Sequence, residues 1–87
     1  MTTQERINAV ESEQLSLLAK MSKSDAHAAK CIKLGVSFAE TYPEELAEYT
    51  AANLQYNRNQ ETLEELYEKL AEEQEAAEAK AAKEMQQ

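Results

Sequence analysis

One glycine, Gly35, and one proline, Pro43, are the only residues of this 87-residue chain that break regular backbone by themselves. So few turn formers leave little chemistry for β-hairpins, and Ala, Glu, Leu, Lys and Gln, all good helix formers, fill much of the rest. The chain is therefore expected to be all-α. A chain this short buries only about 60–65% of its unfolded surface, so its core is thin and association with another chain is one way to enlarge it.

Three helices are expected. Thr2 and Thr3 can cap a helix start, Glu5 lies in the first turn, and Ile7, Val10, Leu17, Leu18 and Met21 recur at helical spacing, which predicts a helix over about 3–21. Ser22 and Asp25 have the spacing of a capping box, which predicts a turn near 22–24. A second helix over about 25–41 is the most apolar, and Ala28, Cys31 and Gly35 form a small-residue stripe on it that would admit a close neighbour. Pro43 disfavours helix at Tyr42 and suits the first position of a new one, and Glu44 and Glu45 follow where the helix dipole favours anions. A third helix over about 43–84 would be ~60 Å long at 1.5 Å per residue, with residues 57–60 the place for any break. Residues 71–87 have high helix propensity but no large apolar side chain before Met85, so this end is expected to fray.

The third helix carries the functional argument. Leu46, Tyr49, Asn53, Tyr56, Gln60, Leu63, Tyr67, Leu70, Gln74, Ala77 and Ala81 alternate by three and four, the spacing of a heptad seam. Asn53, Gln60 and Gln74 would be polar insertions that fix register. Up to Tyr56 the stripe serves equally well as the inner face of a three-helix monomer. Helices of about 19 and 17 residues reach only ~25–28 Å along the third, however, which would leave it uncovered beyond about residue 62. The expected organisation is a helical core over 1–62, a hairpin packed on the long C-terminal helix, and a protruding acidic helix over 63–87. Leu63, Leu66, Tyr67 and Leu70, with Tyr49 and Tyr56 behind them, are the expected interface for coiled-coil-like self-association into a homo-oligomer, since burying each large apolar side chain is worth about 1.5–3 kcal/mol.

Charge narrows the partners. Residues 1–43 hold five basic and five acidic side chains, whereas residues 44–87 hold four basic and twelve acidic, the whole net charge of −8. That half would repel DNA or RNA and attract a basic protein surface. Pairs such as Glu61 with Glu65, Glu64 with Glu68, and Glu68 with Glu72 repel along the helix by a few tenths of a kcal/mol each. An acidic helix can also imitate nucleic acid and block a DNA- or RNA-binding protein, which is the alternative reading. A third, weaker reading rests on Cys31-Ile32-Lys33-Leu34-Gly35-Val36-Ser37, which resembles the turn of a helix-turn-helix; the residues after it, Phe38, Ala39, Glu40, Glu44 and Glu45, do not suit a recognition helix.

No catalytic residue, cofactor site or metal site stands out, and an enzyme is not expected. His27 is the sole histidine and Cys31 the sole cysteine, two ligands where a structural zinc wants four, and no Gly-rich phosphate loop occurs. No apolar run approaches the roughly 20 residues of a membrane span, and Met1 to Arg6 lack the pattern of a secretion signal, so a cytoplasmic protein without membrane contact is expected.

Overall fold

The structure is a computed structural model describing residues 1–85. Three helices follow in order, α1 (Thr3–Leu34), α2 (Phe38–Thr41) and α3 (Pro43–Met85), with no strand among the described residues. This is the expected all-α fold with a helical hairpin closed on a long C-terminal helix. α1 and α3 lie antiparallel, because Thr3 reaches Glu73, Gln14 reaches Asn59 and Ser24 reaches Glu45. The result is a rod of 74 × 18 × 15 Å.

α1 starts at a reciprocal cap. The Thr2 hydroxyl accepts from the Glu5 amide and donates to its carboxylate, both at 3.1 Å. The predicted turn at 22–24 does not occur, and the helix runs on to Leu34. The capping pair Ser22 and Asp25 stands exposed within the helix, and Ser24 between them is buried and donates to the Glu45 carboxylate at 3.2 Å. The inward positions Met21, Ser24, Ala28 and Cys31 also continue the 3,4 rhythm of Gln14 and Leu17, and a break would take them out of phase.

The helix stops at Gly35 instead. Its left-handed conformation, φ 71 and ψ 27, lets the Gly35 amide bond Ile32 O at 3.1 Å and the Val36 amide bond Cys31 O at 3.0 Å. The predicted helix over 25–41 is thus divided. Its first part belongs to α1, and only Phe38–Thr41 is helical after the turn, capped by the Ser37 hydroxyl. One turn of helix is too short to present several side chains to a DNA groove. Tyr42 takes a non-helical φ of −130 and ψ of 59, in keeping with the bar that proline places on helix at the residue before it, and α3 begins at Pro43.

α3 passes residues 57–60 without a break. Asn59, a weak helix former, is buried there and held by side-chain hydrogen bonds. Coverage also extends past residue 62: a helix of 32 residues reaches further than one of about 19, and the Thr3 hydroxyl donates to Glu73 at 2.7 Å. The uncovered part of α3 is therefore Gln74–Met85, ~17 Å of exposed helix. Residues 86–87, the last of the predicted protruding segment, lie outside the described residues.

Candidate functional site

Half of the seam between α1 and α3 falls where it is expected, and the other half is shifted by one residue. Tyr49, Tyr56, Leu63 and Leu70 do face inward, but the positions between them are Ala52, Asn59 and Leu66 rather than Asn53, Gln60 and Tyr67. Both sets alternate by three and four with Tyr49 and Tyr56, so spacing within one helix does not choose between them; the side on which α1 packs does. Leu17, Met21 and Ala52 form the buried cluster, with Tyr49 and Tyr56 against it.

A carboxamide network crosses this seam. Gln14 accepts from Asn59 Nδ2 at 3.0 Å and donates to the Tyr56 carbonyl at 3.0 Å, while Asn59 accepts from Gln55 at 2.9 Å. Among the described residues no buried side-chain nitrogen or oxygen lacks a partner.

The predicted interface residues divide accordingly. Leu63 is 6% exposed and covered by α1, so it does not lie on an overhang. Leu66, Leu70, Tyr49 and Tyr56 are half-buried along the same seam, and only Tyr67, at 47%, is open to solvent. Tyr67, Tyr56 and Leu63 nonetheless meet. They line a shallow groove of about 260 Å³ with Gln60 and, from α1, Glu11, Gln14 and Leu15. Gln60 donates to the Tyr56 hydroxyl at 3.0 Å along its rim.

Leu15, 70% exposed, is not among the interface residues that the sequence predicts. The available signal is positional: it stands one residue beyond the inward Gln14, as Gln60 and Tyr67 stand one beyond Asn59 and Leu66. All such positions share one side of the rod, and along the covered length only Glu11, Asp25 and Glu64 are charged among them. The positions one residue before the seam, on the other side, carry eleven charges, including Lys20, Lys23, Glu44 and Glu48. A wider open groove of about 1130 Å³ runs along that charged side.

At the closed end, the His27 Nδ1 lies 2.8 and 2.7 Å from the two Glu45 oxygens. An ionised carboxylate only accepts, so Nδ1 carries the proton and donates. The imidazole stacks on Tyr42 at 4.9 Å, and Tyr42 meets Phe38 at 5.7 Å, which fastens the turn to both long helices. The His27 hydrogen bond, helped by Ser24, holds the Glu45 carboxyl below its ordinary pKa against some desolvation. Among the described residues no three His, Cys, Asp or Glu side chains are placed to hold a metal, and no helix is long and apolar enough to cross a membrane.

No family model, curated protein or solved structure matches the chain.

Proposed function

We propose that this chain is a non-enzymatic assembly module that associates with a second copy of itself through the charge-poor side of its long third helix. The observation that carries the reading is the pair Leu15 and Tyr67, exposed on the two walls of a groove floored by Tyr56 and Leu63. The same side holds three charges along the covered length while the opposite one holds eleven. Depletion of charge around exposed aromatic and aliphatic side chains is the mark of an interface centre.

Burial of these side chains alone roughly offsets the cost of association. Burying what remains exposed of Leu15, Leu18 and Tyr67 in both copies is worth on the order of 6–10 kcal/mol, comparable to the ~4–15 kcal/mol cost of association. These side chains make a pair marginal unless more of α3 takes part.

Light scattering on the purified chain at tens of micromolar tests the proposal. A particle of twice the 9.8 kDa chain mass is expected, and Leu15→Glu with Tyr67→Glu should return it to 9.8 kDa without loss of helicity. A wild-type monomer would sink the reading. The alternative, an acidic surface standing in for nucleic acid, draws on the exposed carboxylates of Glu61, Glu64, Glu65, Glu68 and Glu72. It predicts tight, salt-sensitive binding to a nucleic-acid-binding protein.

A further inference from the structure

The exposed end of α3 and the exposed flank of the hairpin are complementary in length and in chemistry. We infer that, in the self-associated form proposed above and resting on it, two α3 helices run antiparallel along their charge-poor sides, so that Gln74–Met85 of each copy lies on the Leu15, Leu18 and Leu46 flank of the other.

Length comes first. The end of α3 beyond Glu73 spans ~17 Å, and the flank from Leu15 to Ala29 on α1 spans ~21 Å. The uncovered segment has alanine at 76, 77, 79, 81 and 82, which keeps it slim enough to approach another helix closely. Met85 at its tip is 88% exposed.

Register comes from reading the flank in opposite directions. With Glu64 set beside Tyr67 of the second copy, Leu46 meets Met85, Thr50 meets Ala81 and Asn53 meets Glu78. The apolar ends meet each other, the Asn53 amide can donate to a carboxylate, and the Tyr67 hydroxyl can donate to Glu64. No carboxylate is placed on another. The same overlay on the opposite flank of α3 would bury no apolar side chain larger than alanine and would set Glu65 against its own copy.

Symmetry closes the arrangement. Glu64 is the midpoint of α3 (Pro43–Met85), so a two-fold axis near Glu64 and Tyr67 seats both free ends at once. Each contact then occurs twice, and the pair closes without leading to filaments.

The test is the double variant Thr50→Cys with Ala81→Cys, oxidised at tens of micromolar and run on a non-reducing gel. Both positions are exposed, and within one straight helix they stand ~46 Å apart, far beyond the roughly 7 Å that a disulfide can bridge between Cα atoms. A disulfide between them therefore joins two chains. Most of the protein is expected as covalent dimer. Each single variant should remain monomeric on the gel, with the buried Cys31 taking no part. A dimer by light scattering that forms no disulfide in the double variant overturns this arrangement and leaves self-association standing. A monomer by light scattering with no disulfide overturns both.

Discussion

Gln14 and Asn59 occupy seam positions where leucine would pack, and their mutual hydrogen bond at 3.0 Å ties one register of α1 to one register of α3. Gln14→Ala should cost about 1–3 kcal/mol in urea unfolding, because it leaves the Asn59 amide buried without its partner. Replacing both by leucine should be near neutral or stabilising, since no orphaned group then remains. Polar residues as fixers of register were legible in the sequence, but on Asn53, Gln60 and Gln74, one phase away from Asn59. The deciding fact, that a glutamine on α1 faces position 59 and not 60, is a relation between two helices and has no trace within either. Glu45 supplies a prediction of pH dependence. Its lowered pKa means that its contribution to stability is present above the ordinary carboxylate range and lost as pH falls through the lowered folded value. The difference in melting temperature between wild type and Glu45→Gln should therefore hold steady at neutral pH and close in acid.

The extent of each helix follows from how its end is stopped. Gly35 ends α1 in a left-handed conformation with open space where a Cβ would stand. Gly35→Ala should thus cost about 1–2 kcal/mol through backbone strain alone, measurable as a lower urea midpoint with an unchanged slope. The pattern from Cys31 to Ser37 resembles a helix-turn-helix turn and a turn stands there, but the expected second helix over 25–41 runs through it, so the stop at Gly35 is a correction. Ser22 and Asp25 resembled a helix start equally well, and nothing local distinguishes a capping serine from one that donates to a carboxylate across a seam, as Ser24 does to Glu45. Pro43 needed no tertiary information, because its ring restricts Tyr42 directly, and its boundary stands where the sequence puts it. Along α3 the pairs Glu61 with Glu65 and Glu64 with Glu68 remain exposed, so helicity by circular dichroism should rise with added salt. A flat response would show that this repulsion is already relieved.

As a whole the molecule is a rod whose Cα radius of gyration is 20.7 Å. An antiparallel pair centred on Glu64 would double the mass and thicken the rod while leaving its longest dimension near 74 Å, whereas an end-to-end pair would lengthen it. The distance distribution from X-ray scattering separates the two. A first helix that stops at 21 would leave the chain bare beyond residue 62; α1 runs to Leu34 and covers it further. The hydrogen bond from Thr3 to Glu73 shows the actual limit, and it also has a kinetic meaning. Every contact between the two long helices is nested about the turn at 35–42, so the loop to be closed lengthens steadily from that turn to the Thr3 end. Zippering from the turn closes each pair at small entropic cost, while the pair at the far end is the last to form and the first to open. Amide protons should accordingly exchange slowly beside Met21 and Ala52 and progressively faster toward Thr3, so the rod's local opening free energy is graded along its length.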